Sequence, residues 1–208
     1  VTDDAQAVEM AGGRVTVVPG EHSNFKVTTA RDLELARMLF AAGAGLDAGC
    51  RAGIGSDTHL LVAGRPLVLC GVTIPHHRGL DGHSDADVAT HAACDALLGA
   101  IAAGDIGVHF PPGDPRFKDV SSLLLLEKVR EKVDAAGYEI MNIDVTITAE
   151  APRLAPYVDR MRLSLASAAG VDTEAVSVKA TTTEGVGPEG EGLAMSSMAT
   201  AVVRRREA

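Results

Sequence analysis

The chain has 208 residues, 46% apolar and only 3% aromatic, with no Trp and a formal charge of −9. That length and apolar share suit one ordinary domain plus an appendage, while the charge argues against a nucleic-acid partner and the few aromatics against base stacking. Three cysteines (Cys50, Cys70, Cys94) without metal-ligand spacing are read as reduced thiols of a cytoplasmic protein. No apolar run of about 18 residues suggests a membrane span, and the first residues do not read as a signal peptide.

Residues 1–42 read as a small α/β piece. Asp3 or Asp4 caps a short helix over 5–11, ended by Gly12-Gly13; 14–18 and 24–28 are extended; Thr29 or Asp32 opens a helix through Phe40. So few large apolar groups are too little for the piece to fold alone. Val1-Thr2-Asp3-Asp4-Ala5, Gly20, Asn24-Phe25-Lys26-Val27-Thr28 and Asp32-Leu33 resemble the C-terminal part of 2-C-methyl-D-erythritol 4-phosphate cytidylyltransferase. The resemblance implies substrate-site positions at Thr2 and Lys26. It does not extend to that family's glycine-rich nucleotide loop, so no cytidylyl transfer is expected of these residues alone. The Ala/Gly-rich stretch that follows reads as a linker, 43–50.

A main domain is expected over 51–208. Its first strand is 51–60, carrying Asp57 and His59 two apart and therefore on one face. Pro66 to Cys70 and Val72 to Pro75 flank Gly71 as a strand pair, and 76–82 is a loop. Ser84 or Asp85 caps an Ala-rich helix ending near Ala103 and Gly104; on it Asp87, His91 and Asp95 are spaced by four and share a face. Strand and helix brought together converge two imidazoles and a carboxylate, an open three-ligand set of the kind found at catalytic zinc. Taken singly, Asp-x-His or one helical His is an ordinary surface or core feature. Five of the seven histidines, however, fall between His59 and His91.

Further on, 105–107 is a turn, 110–115 a proline-stiffened loop, and Ser121 or Ser122 caps a helix stopped by Gly137. Strand 138–149 alternates, with Met141, Ile143, Val145, Ile147 and Ala149 on one side. Pro156 opens a helix closed by Gly170; 176–180 is a strand; 193–203 is a last strand of small and β-branched residues. Thr181-Thr182-Thr183-Glu184 ends a strand beside a Gly-rich loop, where hydroxyls and backbone N–H groups suit a diphosphate and Glu184 suits Mg²⁺. The backbone of 149–154 suits a nucleobase edge, and Asp105-x-Gly107 a ribose hydroxyl. A plain turn or loop explains each of these as well.

In order, Asp57-x-His59, His83-Ser84-Asp85-x-Asp87-Val88-x-x-His91, Asp95-Ala96-Leu97-Leu98-Gly99, Gly104-Asp105-Ile106-Gly107, Ala151-Pro152 and Lys179-Ala180-Thr181-Thr182-Thr183-Glu184 resemble 2-C-methyl-D-erythritol 2,4-cyclodiphosphate synthase over about 51–204. With its front piece the chain resembles the rear of a bifunctional enzyme of non-mevalonate isoprenoid synthesis. The resemblance implies an α+β fold with a mixed four-stranded main sheet, helices on one face and a small strand pair. It implies a homotrimer with sheets facing the axis and active sites at the subunit interfaces. It implies Zn²⁺ on Asp57, His59 and His91, and Mg²⁺ or Mn²⁺ on Glu184 and the substrate diphosphate. His83, Ser84 and Thr182 take catalytic roles. Asp105, Gly107, Ala149, Ala151, Pro152, Arg153, Leu154, Ala180, Thr181 and Thr182 bind the cytidine diphosphate substrate. A metal-dependent phosphohydrolase is the alternative, since the same groups can activate water. After Glu184 the chain departs from the family: 185–192 is about two residues shorter and lacks the aromatic and arginine that line the axial cavity, so an isoprenoid diphosphate site there is not carried over.

Overall fold

The computed structural model describes residues 4–16, 27–43 and 49–206, and the chain forms two compact units, Val1–Leu46 and Asp47–Ala208. In the first unit α1 (Asp4–Met10) and α2 (Ala30–Gly43) are helical as expected. Thr29 and Asp32 form a reciprocal cap at the start of α2. The Thr29 hydroxyl accepts the Asp32 N–H at 3.1 Å, and the Asp32 carboxylate accepts the Thr28 and Thr29 N–H groups at 3.0 and 2.8 Å. These bonds, those of Thr28 foremost, hold the Asp32 acid down at about 2. The expected strands fare differently. Arg14, Val15 and Thr16 are irregular, as are Val27 and Thr28, because no described strand lies beside them to complete a ladder. The remainder of both expected strands, with Thr2 and Lys26, lies outside the described residues. α2 also runs to Gly43, three residues beyond the expected Phe40.

The second unit is α+β, and its main sheet has five strands, not four. The elements are β1 (Cys50–Ala63), β2 (Leu67–Leu69), β3 (Val72–Ile74), β4 (Arg78–Leu80), α3 (Val88–Ala100), α4 (Ile106–His109), α5 (Ser122–Ala135), β5 (Tyr138–Thr148), α6 (Val158–Ala169), β6 (Val176–Thr181), α7 (Gly187–Gly190) and β7 (Ala194–Arg205). The order is β4-β1-β7-β5-β6, antiparallel except for the parallel β5–β6 pair, and β2–β3 forms the small separate pair. The extra strand β4 falls where a loop was expected. Three residues are too few to show alternation, yet Leu80 is fully buried and pairs with Leu61 on an extension of β1 past Leu60.

The alternation of β5 holds from Ile143 to Ile147, all buried, but Met141 is exposed. The pairing with β7 shifts between Ile140 and Asn142, so one extra residue sits in the strand and Tyr138, not Met141, turns to the core. Helices α3, α5 and α6 cover one face of the sheet, built around Leu97, Leu98, Leu126, Met161 and Leu165. On the opposite face Ile54, Leu60 and Met198 are more than half exposed.

One close approach, between β1 and α3, sets the geometry of the site. A Cβ on Gly53 would lie 2.0 Å from the Ala96 carbonyl oxygen, and one on Gly55 2.1 Å from that of Ala92. β1 therefore lies directly on α3, whose facing residues Ala92, Ala96 and Ala100 are all buried. Two strand residues advance about 6.6 Å and four helix residues about 6 Å, so strand and helix stay in step. Continued by one more step, Asp57 comes opposite the first turn of α3.

Candidate active site

That step brings His91 to Asp57 and His59. The Asp57 carboxylate lies 2.8 Å from His59 Nε2 and 2.9 Å from His91 Nδ1, and the two imidazole nitrogens are 3.4 Å apart. All three side chains are about three-quarters or more buried. Together they form the one group among the described residues whose His, Cys and carboxylate atoms could hold a metal ion.

The outer nitrogens fix which atoms face inward. His59 Nδ1 donates to the Asp81 carbonyl at 2.5 Å, leaving Nε2 as the inward atom. His91 Nε2 lies 2.9 Å from Ser122 Oγ and 3.1 Å from Ser84 Oγ, and Ser122 Oγ gives its own proton to Asp85. Nδ1 of His91 is thus the inward atom. Burial alone would raise the Asp57 acid, but hydrogen bonds and charge from both histidines hold it far below the usual carboxylate range. Burial alone would lower His59, yet the Asp57 hydrogen bond and charge raise it.

Asp87 does not join this cluster. It caps α3 from outside, fully buried, accepting the Cys70 and Gly71 N–H groups at 2.9 and 2.6 Å, the Thr90 N–H at 3.1 Å and the Thr90 hydroxyl at 2.7 Å. The expected caps Ser84 and Asp85 lie before it and serve His91 and Ser122 instead. Burial pushes the Asp87 acid up against the pull of these donors. The carboxylate ties the β2–β3 turn to the helix start and so fixes His91 one turn on.

The triad opens into a cavity of about 260 Å³, also lined by His83, Ser84, Asp95 and Gly107, with an apolar wall of Ile106, Phe110, Phe117 and Leu125. Asp105 caps the short α4 by accepting the Val108 N–H at 3.0 Å. Asp95 anchors the same loop through the Ile106 N–H at 2.7 Å; burial raises its acid despite that bond, and the charges of Asp105 and Asp57 add to the rise. Arg65 donates to the Gly82 and Ser84 carbonyls at 2.9 and 2.6 Å, and Asp119 N–H donates to that of His83 at 2.9 Å. The loop carrying His83 and Ser84 is therefore tied down at three successive residues.

The remaining expected residues gather elsewhere. Ala149, Pro152, Arg153, Leu154, Ala180, Thr181 and Thr182 line a second cavity of about 310 Å³ that shares no residue with the first. Ala151 precedes Pro152 through a cis peptide bond. Glu184 is exposed and accepts the Thr182 hydroxyl at 2.7 Å. The N–H groups of Thr183 and Gly185, expected to suit a diphosphate, are taken by the Glu150 side chain at 3.0 and 3.2 Å.

Sequence reasoning missed Arg65, Ser122, Glu150 and the apolar wall. Asp85 stood in the His-Ser-Asp-x-Asp run, but Ser122 read only as a helix cap, and its hydroxyl makes no capping bond. Arg65 and Glu150 act on backbone brought close by folding, for which spacing carries no signal.

A family model described as the YgbB family matches residues 50–204, and one described as 2-C-methyl-D-erythritol 4-phosphate cytidylyltransferase matches residues 1–42. The chain is 60% identical over 158 residues to the 2-C-methyl-D-erythritol 2,4-cyclodiphosphate synthase of Moorella thermoacetica, covering 76% of this chain and 97% of that one. It is 50% identical over 204 residues to the bifunctional enzyme IspD/IspF of Desulforudis audaxviator, covering 98% of this chain and 50% of that one. The chain thus spans about half the length of the bifunctional relatives it matches. Bifunctional IspDF from Campylobacter jejuni superposes with a TM-score of 0.74 at 34% identity, covering 100% of this chain and 55% of that one. The CDP complex of IspF from Plasmodium falciparum gives 0.68 at 28% identity, covering 77% of this chain and 99% of that one.

Proposed function

The chain belongs to the YgbB family over residues 50–204, and from that premise we propose that it is a 2-C-methyl-D-erythritol 2,4-cyclodiphosphate synthase. The substrate is 4-diphosphocytidyl-2-C-methyl-D-erythritol 2-phosphate. An oxygen of its 2-phosphate attacks the β-phosphorus, the bond from that phosphorus to the α–β bridging oxygen breaks, and CMP departs with that oxygen. The observation that carries the reading is the buried triad Asp57, His59 and His91 opening into a cavity beside His83 and Ser84.

Two anionic phosphates must meet, so the site has to offset their repulsion. A carboxylate oxygen and two imidazole nitrogens fit Zn²⁺, whereas the lone carboxylate of Glu184 with a substrate diphosphate suits Mg²⁺ or Mn²⁺. When bound, such cations supply Lewis-acid charge worth several kcal/mol to a phosphoryl transition state. The chain's own residues do the positioning. Asp57, His59 and His91 aim their inward atoms at one point. His83 and Ser84, on the tied loop, orient the reacting phosphate. Asp105 and Gly107 hold the ribose, and the apolar wall excludes water that would otherwise open the product. Thr181 and Thr182, with the backbone of 149–154, hold the cytidine diphosphate.

Because these last groups line a separate cavity, one chain does not bring the two halves together. We assign their meeting to a homotrimer, with the second cavity of one subunit facing the triad of the next and the sheets facing the axis. The exposed Ile54, Leu60 and Met198 on the open sheet face support burial between subunits. Incubation with the substrate and identification of products tests the activity. CMP with the cyclic diphosphate is expected. CMP with an open-chain bisphosphate would identify the chain as a phosphohydrolase instead.

A further inference from the structure

Glu184 occupies an uncommon backbone conformation. Its φ is 54°, left-handed, and Gly185 follows at 80°. For a residue with a side chain this conformation is strained, and it persists only where the surroundings hold it. Two features hold it: the Val186 N–H donates to the Thr183 carbonyl at 3.0 Å and closes a turn over Glu184 and Gly185, and Glu150 braces that turn from outside. Glu150 Oε1 accepts the Thr183 N–H at 3.0 Å and the Gly185 N–H at 3.2 Å, the two amides on either side of Glu184. The Thr183 hydroxyl is a further 3.4 Å contact, but it gives its proton to the Val186 carbonyl at 2.6 Å. Glu150 is half-buried and comes from the loop after β5, the same loop that carries Ala151 to Leu154. It therefore joins the two loops assigned above to the cytidine side of the site, and together with the turn bond it sets the direction in which Glu184 leaves the backbone.

We propose that Glu150 is a positioning residue that aims Glu184 at the second divalent cation and holds Thr181 and Thr182 in register with the 149–154 loop. The inference rests on the synthase reading and adds a residue to it. Both bonds go to the same oxygen and neither donor is charged, so an amide oxygen at that position serves as well as a carboxylate. A side chain one methylene shorter keeps the charge but does not reach both amides.

The test is calorimetric titration with CDP, with and without Mg²⁺, on wild type, E150A, E150D and E150Q, alongside metal content at the triad and thermal midpoint. We expect E150A and E150D to bind CDP about tenfold more weakly in Mg²⁺, since losing two hydrogen bonds lowers the share of competent loop. The gain in affinity that Mg²⁺ confers on wild type should shrink in both. E150Q should recover most of both losses, and the triad metal should be unchanged in all three. Wild-type-like binding by E150D overturns the inference, as does E150Q binding as weakly as E150A, which would make the charge and not the geometry the active property. If E150A does not fold, E150D and E150Q decide the matter in the same way. Failure of wild type to bind CDP or release CMP would instead count against the synthase reading itself.

Discussion

The cavity around Asp57 and the cavity around Thr182 differ in what holds their side chains. In the first, the triad sits on a strand and a helix locked together at Gly53 and Gly55, and each imidazole is oriented by an outer hydrogen bond. In the second, Thr181, Thr182 and Glu184 are exposed, the first at the end of β6 and the others on the loop after it, which Glu150 braces. The first is built to keep its atoms fixed before anything binds, as an ion site requires. The second is open, and in the proposed trimer a partner surface would cover it.

The largest way to break this contrast is to remove a ligand of the rigid half. His91→Ala should lower turnover by about a thousandfold, equivalent to roughly 4 kcal/mol of transition-state charge stabilisation. Elemental analysis should show the triad metal lost, while CDP affinity stays near the wild-type value. A metal-free His91→Ala protein with full turnover would remove the triad from the mechanism.

A smaller effect comes from the strand–helix contact. Gly55→Ala places a methyl against the Ala92 carbonyl, where only backbone can give way. Overpacking of this kind costs about 1–3 kcal/mol. It should lower the thermal midpoint and the triad's metal affinity together, because α3 carries His91 as it moves, and it should leave CDP binding nearly unaltered. An unchanged midpoint would show that strand and helix are less tightly apposed.

The smallest effect belongs to the sheet beneath the second cavity, where Lys179 on β6 reaches Asp144 on β5 at 2.5–2.6 Å. Burial would raise the Asp144 acid, but hydrogen bonds from Lys179 and Ser177 and the lysine's charge hold it below its usual value. Its folded value being depressed, the pair's contribution is present above that usual value and is lost as pH falls through the lowered one. Both partners are over a third exposed, so the gain at neutral pH is a few tenths of a kcal/mol. The stability gap between wild type and Lys179→Met should close on acidification in denaturant melts. A gap independent of pH would mean that the lysine stabilises by packing.

Much of this was legible in the sequence because local rules governed it. The two-residue spacing of Asp57 and His59 and the helical position of His91 marked three residues that the fold brings together as a group able to hold a metal ion. The Ala-rich helix was legible as a helix, whereas its close approach to Gly53 and Gly55, just ahead of Asp57 on β1, emerges only from the fold. What escaped was set by contacts between distant segments. β4 is too short to carry a pattern, and only its pairing with the end of β1 makes it a strand. The extra residue at Met141 reverses an alternation that reads as unbroken. Asp87 shares a nominal helix face with His91, yet the β2–β3 turn offers it two amides and draws it away. Ser122 and Glu150 work through partners 31 to 37 residues off in sequence.

The central claim is that the rigid half of one subunit works with the open half of another. Mixing inactive His91→Ala and inactive Glu184→Ala proteins under conditions of subunit exchange tests it directly. In a cyclic assembly mixed at random from equal amounts, roughly one quarter of the interfaces pair an intact triad with an intact Glu184. Turnover should therefore rise from background to about a quarter of the wild-type rate. Demonstrated exchange with no recovery of turnover would contradict the shared site.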